Sequence, residues 1–364
     1  MIPPSSLPGP FRFDPANTFL QPLVTKLHKH PKRVVFPDGN DARVLRVAAE
    51  LVRLECVSPI LIGKRRDIEH TAAAEGISME FIGVVQPEDS SDFQAYCERY
   101  RRSQRVRRRI IRAPEETMAM PQYFAAMMVQ YGAADAVVGG NLMLPAAFFR
   151  ALFHLIKRKP HLDSVTSCMA VRLPKRPDLG QDGVIFLADC AVIPTPTVGQ
   201  LASIAVETSR VAGPLLHDRP RVAMISFSTK GSASNLSTHK MQAATQMARL
   251  RAGVELVAMD VDGELQLDAA LIPEAAERKC PMSLVAGRAN VLVFPDLNSS
   301  HVAYKMLQYL AGAECYGQMV LGLVRPAVHV SRVADELTIF GAAVCAAHQA
   351  ISYRELIQEE SWDM

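Results

Sequence analysis

Short apolar runs of strand type alternate with apolar patterns of helical period along most of this chain, and that alternation restricts the fold more than any other feature. Arg33-Val34-Val35-Phe36 is a strand closed by Pro37-Asp38-Gly39, and Ala42 to Leu54 then repeats apolar residues at helical spacing. Pro59 to Gly63, Phe81 to Val85, Ala136 to Gly140, Ser167 to Val171, Val184 to Ala188, Arg221 to Ser226, Val254 to Ala258 and Asn290 to Phe294 give further strands. Met120 to Gln130, Leu144 to Lys157, Val198 to Ala212 and Thr238 to Arg251 give helices. Such alternation predicts an α/β protein whose parallel sheet is covered by helices on both faces. In an open parallel sheet, ligands sit beyond the carboxyl ends of strands, so Asp260, Asp262, Asp296 and Asn298, just after apolar runs, become candidate polar groups.

A chain of 364 residues exceeds one ordinary core and predicts two domains. With 49% hydrophobic and 21% charged residues, it falls outside disordered and fibrous classes. The formal charge of +3 is too small to call for a nucleic acid. Seven scattered cysteines without a C-x-x-C pair suit a reduced, cytoplasmic protein rather than a disulfide scaffold or structural metal site. The start, MIPPSSLPGPFRF, has no basic stretch followed by an apolar one, and its Pro-rich first ten residues predict a disordered tail. No later segment reaches the roughly 18 uninterrupted apolar residues of a membrane span, so neither export nor a membrane location is expected.

Four motifs could carry chemistry. Ser226-Phe227-Ser228-Thr229-Lys230-Gly231-Ser232-Ala233-Ser234 offers hydroxyls, an ammonium and backbone N–H groups before a helix, as an anion site would, yet an ordinary capped turn fits equally well. Its glycine spacing is not that of a Walker loop. Asp189 to Thr197 is a loop stiffened by Pro194 and Pro196, for which a structural role is the simpler explanation. Eight arginines between Arg99 and Arg112 predict a solvated helix, from which one or two guanidiniums could reach a phosphorylated small molecule. Ser331-Arg332 follows the strand-like Ala327-Val328-His329-Val330, and no carboxylate is identifiable as a partner that would make His329 a catalyst.

In their order these segments resemble the phosphate acetyltransferases, or phosphotransacetylases, and the related phosphate butyryltransferases. The resemblance runs from about Arg33 to Ala350, through VVFPDGNDARVLRVAAE, PQYFAAMMVQYGAADAVVGG, FLADCAVIPTPTVGQLASIAVETSRVA, RVAMISFSTKGSAS, DGELQLDAALIPEAA and NVLVFPDLNSSHVAYKM. It implies reversible acyl transfer between an acyl phosphate and the thiol of coenzyme A, without a metal, a permanently bound cofactor or a covalent enzyme intermediate. It also implies a homodimer acting on small molecules, and two α/β domains of the isocitrate/isopropylmalate-dehydrogenase-like type with the active site in the cleft. The first domain would be residues 1–160 completed by 318–364, and the second 161–317.

Thiolate attack builds negative charge on the carbonyl oxygen and the departing phosphate, where cationic and N–H donors help most. By resemblance Arg332 and Arg150 fill that catalytic role, with Ser331 donating a hydrogen bond. Ser228, Thr229, Lys230, Gly231 and Ser232 would bind substrate, and a further family arginine falls at Arg101 or Arg102. Some positions depart from the family pattern. An aspartate proposed to deprotonate coenzyme A, seven residues after the serine, is Thr338 here, leaving Asp335, Glu336 or solvent to take the proton. The family's Ser-Thr-Ala-Asp is Leu144-Pro145-Ala146-Ala147, and two asparagines are Ile193 and Thr195. The resemblance therefore implies a phosphate acetyltransferase. Its alternatives are an enzyme for a longer acyl group, such as a butyryltransferase, and a catalytically weakened relative that binds coenzyme A or an acyl phosphate. A dehydrogenase is disfavoured because no strand-linked G-x-G-x-x-G is present.

Overall fold

Val34, Val35, Phe36, Val137 and Val138 are all buried, so the strands that carry them need cover on both faces. A computed structural model of the chain, describing residues 9–107 and 113–359, provides it. Its eleven described strands are β1 (Lys32–Phe36), β2 (Val57–Ile62), β3 (Gly83–Val85), β4 (Ala136–Gly139), β5 (Thr166–Arg172), β6 (Val184–Ala188), β7 (Arg221–Ile225), β8 (Asp260–Leu265), β9 (Val291–Val293), β10 (Glu314–Leu321) and β11 (Ala327–His329). The chain divides into two compact units, Met1–Lys157 with Val324–Met364, and Arg158–Leu323.

In the first unit the strands run β3-β2-β1-β4-β11, and every neighbouring pair is parallel. Parallel neighbours need crossovers, which the helices Ala42–Arg53, Arg65–Ala74 and Pro121–Gln130 supply. Asp41 starts the first of these by accepting the Arg43 N–H at 2.9 Å, and Pro121 starts the third, where a missing N–H costs nothing. The helix Glu336–Glu359 packs on β1, β4 and β11. Its Phe340 is buried and stacks on Phe13 at 4.8 Å.

In the second unit the order is β10-β5-β6-β9-β7-β8. The pairs β6/β9, β9/β7 and β7/β8 are parallel, whereas β10/β5 and β5/β6 are antiparallel, so this sheet is mixed rather than wholly parallel. The hairpin from β5 to β6 needs no helix, since antiparallel strands can be joined directly. Capping boxes at Thr197/Gln200 and Asn235/Thr238 start the helices Val198–Leu216 and Leu236–Val254, and Asp296 starts Leu297–Leu310 by accepting the Ser299 N–H.

The strand expected over Val254 to Ala258 is not formed. The preceding helix extends to Val254, Leu256 sits at a left-handed φ of 53°, and both side chains point to solvent, at 83% and 90% exposure. The strand is Asp260–Leu265 instead, so Asp260 and Asp262 lie within it rather than beyond it, while Asp296 and Asn298 belong to the start of a helix. Apolar residues on the exposed end of a helix imitated a buried strand, and a strand carrying three partnered carboxylates was hidden by its polarity. The strand expected from Phe81 begins only at Gly83, because Phe81 is exposed at a left-handed φ of 62°.

The arginine-rich run is helical over Phe93–Arg107, and Arg108, Arg109 and Arg112 lie outside the described residues, as do residues 1–8 of the Pro-rich leader. All seven cysteines are buried thiols, and none takes part in a disulfide. No helix among the described residues is long and apolar enough to cross a membrane.

Candidate active site

In the first unit β11 ends at His329, and the chain then turns through Ser331 to Ala334, closed by the Ala334 N–H donating to the Ser331 carbonyl at 3.0 Å. The turn starts against β4: the Val330 N–H donates to the Gly139 carbonyl at 2.9 Å. Gly140 follows at φ 108°, and a Cβ there would lie 2.5 Å from the His329 ring, so only glycine fits this approach. His329 is buried, packs at 5.9 and 5.0 Å from the rings of Phe148 and Phe149, and has its pKa pushed down to about 4 by burial. A histidine held neutral among rings is a packing residue.

Arg43, in the first turn of the helix Ala42–Arg53, holds the Ser331–Ala334 turn in place. Its Nη1 donates to the carbonyl oxygens of Arg332 and Ala334 at 3.0 and 2.7 Å, and its Nη2 to that of Asn141 at 3.4 Å. Asp41 orients the guanidinium, accepting from Nε at 3.1 Å and from Nη2 at 2.6 Å, and also accepts the Asn141 side-chain amide at 2.7 Å. Burial alone would raise the Asp41 pKa, but the bonds from Arg43 and Asn141 outweigh it and hold the carboxyl below its ordinary range. Asp38, deeper in the same corner, accepts the Gly140 and Asn141 N–H groups at 2.7 and 3.3 Å. There burial prevails and its pKa is raised.

Arg332 and Arg150 are both exposed, and neither guanidinium has a hydrogen-bond or ion-pair partner among the described residues. Arg150 projects from the helix Pro145–Leu155, which starts directly after Leu144, three residues beyond Asn141. Arg101 and Arg102 differ from them. Arg101 donates to Glu98 at 2.6 Å and to Glu115 at 2.8 Å, and Arg102 donates to Glu98 at 3.1 Å.

In the second unit the Ser228–Ser232 turn joins β7 to the helix Leu236–Val254, and β8 braces it. Glu264 accepts from the Ser228 hydroxyl at 3.0 Å and from the Gly231 N–H at 2.7 Å, while its own carbonyl takes the Lys230 N–H at 3.1 Å. The Thr229 hydroxyl bonds Gln266, and the Lys230 ammonium pairs with Asp262, which Arg249 and Ser283 also contact. Ser232 and Ala233 N–H groups donate to the Thr229 carbonyl and the Ser228 hydroxyl. Burial would raise both acids, but these donors hold Asp262 and Glu264 below their usual range. The N–H groups expected to face a phosphate are thus satisfied by the turn itself and by Glu264 of β8. Ser228 and Thr229 are buried, and Lys230, Gly231 and Ser232 lie at the surface.

Asp189 is a structural residue of the Pro-stiffened loop. It accepts the N–H groups of Ala191, Val192 and Ile193 at 2.9, 3.2 and 2.8 Å and the Ser167 hydroxyl. At the start of the helix Glu336–Glu359, Asp335 accepts the Thr338 N–H at 2.8 Å, and Glu336 is bound by Arg46 at 3.0 and 2.7 Å. One metal-like group occurs among the described residues: His161, Glu207 and Glu255 have ligand atoms within 4.8 Å of one another. Its charge is already balanced, because Lys159 and Arg210 bind Glu207 and Arg210 also binds Glu255.

The motif reading passed over Asp41, Arg43, Asn141 and Glu264 as site residues, and it brought Asp262 forward as a group beyond a strand rather than within one. A helix-capping Asp two residues before an Arg was visible in the sequence, but nothing in it shows which distant carbonyls that Arg would reach.

Residues 18–347 match the family described as phosphate acetyl/butaryl transferase. The phosphate acetyltransferase of Thermoanaerobacterium thermosaccharolyticum is 36% identical over 92% of this chain and 99% of its own length. Among solved structures, a phosphotransacetylase from Streptococcus pyogenes has a TM-score of 0.81 at 32% identity, covering 91% of this chain and 99% of its own. One from Staphylococcus aureus has a TM-score of 0.80 at 29% identity, with the same coverage. The match spans both units and includes the Ser331–Arg332 turn, Arg150 and the Ser228–Ser232 turn, so the chain belongs to the phosphate acetyl/butaryl transferase family.

Proposed function

We propose that the protein is a phosphate acetyltransferase, catalysing acetyl phosphate + coenzyme A = acetyl-coenzyme A + phosphate. The thiol sulfur bonds the carbonyl carbon, the bond from that carbon to the phosphate oxygen breaks with its electron pair leaving on phosphate, and the thiol proton passes to solvent, from which the released phosphate takes up a proton. Arg332 and Arg150 stabilise the charge that develops on the carbonyl oxygen and phosphate, and Ser331 donates a hydrogen bond there. One observation carries this reading: these two exposed guanidiniums have no partner among the described residues, while Arg43 fixes the backbone of the Arg332 turn.

The turn at Ser228, Thr229, Lys230, Gly231 and Ser232 is assigned to substrate binding, with the buried pair shaping it and the other three exposed. Arg101 and Arg102 bind a substrate phosphate only by exchanging Glu98 for it. With Asp335 capping a helix and Glu336 held by Arg46, solvent takes the thiol proton. In this reading coenzyme A is a substrate, no metal or permanent cofactor takes part, and the protein is a cytoplasmic homodimer.

The test is ultraviolet detection of thioester in purified protein with coenzyme A and acetyl phosphate, and of its loss with acetyl-coenzyme A and phosphate. Turnover in both directions supports the reading; its absence in folded protein refutes it.

A further inference from the structure

The helix Leu297–Leu310 holds a single lysine, Lys305, and no arginine, aspartate or glutamate. Val302, Met306, Tyr309 and Leu310 recur along it at helical spacing and are 57%, 54%, 62% and 78% exposed, so the lysine stands beside an apolar stripe that offers it no charge. Its Nζ lies 4.3 Å from the centre of the Tyr304 ring and 5.2 Å from that of Tyr309, and donates to Gln308 Oε1 at 3.1 Å. No carboxylate pairs with it among the described residues, whereas Lys159, Lys230 and Lys279 pair with Glu207, Asp262 and Asp268. Ring faces attract an ammonium weakly at such distances, and water lost without an anion in exchange disfavours the charge more. Burial accordingly lowers the Lys305 pKa from the ordinary lysine value. The residue remains partly exposed, so a small reagent can reach its nitrogen.

We infer that Lys305 is a modification site, its amine being acylated by an acyl phosphate ahead of lysines that stand in water. The acyltransferase reading above supplies the source of that reagent, and to this extent the inference rests on it. The ammonium loses a proton to solvent, and the freed lone pair of Nζ bonds the carbonyl carbon. The bond from that carbon to the phosphate oxygen breaks with its electron pair leaving on phosphate, and a second proton passes from nitrogen to solvent. The product is an uncharged amide, which removes the cation beside the apolar stripe. An amine that gives up its proton more readily is also a weaker nucleophile. Each tenfold gain in neutral amine brings about a threefold loss in intrinsic reactivity, leaving a net gain of about threefold.

The experiment incubates the purified protein with acetyl phosphate, coenzyme A omitted, and follows acetylation of each lysine by peptide mass spectrometry. Lys29, Lys64 and Lys175 are exposed, have no side-chain partner among the described residues, and serve as internal controls. Expected is an initial rate at Lys305 about threefold or more above theirs. Gln308→Glu sets a carboxylate where Lys305 already bonds, and should bring that rate down to the controls' while leaving theirs unchanged. A Lys305 rate no greater than that of the controls in the parent, or one unmoved by Gln308→Glu, would overturn the inference. With coenzyme A absent none of these outcomes depends on turnover, so a protein inactive in acyl transfer would refute the acyltransferase reading alone.

Discussion

Arg43 and Arg332 lie 289 positions apart in sequence and are joined by a hydrogen bond of 3.0 Å, from the guanidinium of the first to the carbonyl oxygen of the second. The bond sets the backbone from which the Arg332 guanidinium, without a partner among the described residues, extends. A guanidinium bound to Asp41 through two nitrogens is a stiff support, and a reacting group displaced by about 1 Å can cost about a hundredfold in rate.

Arg43→Ala is therefore expected to lower kcat by about a hundredfold while the fold persists by circular dichroism. Arg43→Lys should recover little, because an ammonium cannot bond Asp41 and the Arg332 and Ala334 carbonyls in the same fork geometry. Lysine restoring full kcat would show that the fork is not needed.

The pH dependence of the rate follows from the proton route. With Thr338 in place of a carboxylate and solvent as acceptor, the rate should rise about tenfold per pH unit until the thiol ionises near about pH 8.5. Thr338→Asp should raise the rate near neutral pH and flatten this rise. An initial-rate profile for both proteins decides it, and a flat profile in the parent would mean that a base already operates.

His329 makes a stability prediction. Burial lowers its folded pKa to about 4 from the ordinary value near about 6.5, so its contribution is complete above the higher value and is lost as pH falls toward the lower one. Across that window the unfolded chain binds the extra proton, and the residue should make stability fall by about 1.4 kcal/mol per pH unit. Denaturant unfolding from pH 7 to pH 4 should show a shallower slope in His329→Met, and equal slopes would mean that His329 titrates normally in the folded protein.

Glu264 anchors the Ser228–Ser232 turn through the Ser228 hydroxyl and the Gly231 N–H. Glu264→Ala leaves the buried Ser228 hydroxyl without that acceptor and should cost about 1–3 kcal/mol. Glu264→Gln keeps an oxygen acceptor and should cost less. Thermal unfolding of the two variants separates them, and equal losses would show that only the charge matters.

The order of the elements was legible wherever an apolar run was also a buried one. β1, β4, β6 and β7 announce themselves because both faces are covered, so the sequence needs no alternation. β8 was unreadable because Asp262 and Glu264 are buried and bonded to Lys230, Arg249, Ser228 and Gly231, partners set by tertiary structure. β10 was missed because Gly317 and a register shift between Tyr316 and Met319 break its pattern. The Ser228–Ser232 turn was found by its composition, but composition cannot tell a donor facing a ligand from one already bonded to Glu264. Family resemblance brought Arg150 and Arg332 forward, and their lack of partners became visible only when the ion pairs of the other arginines were placed.

The most direct measurement is kcat for thioester formation in the parent, Arg332→Ala, Arg150→Ala and the double variant, each with its fold verified. If both guanidiniums stabilise the same developing charge, each single substitution should lower kcat by about a hundredfold to a thousandfold, and the double should lose less than the product of the two. Unchanged kcat in Arg332→Ala would contradict the assignment of the Ser331–Arg332 turn as the catalytic centre.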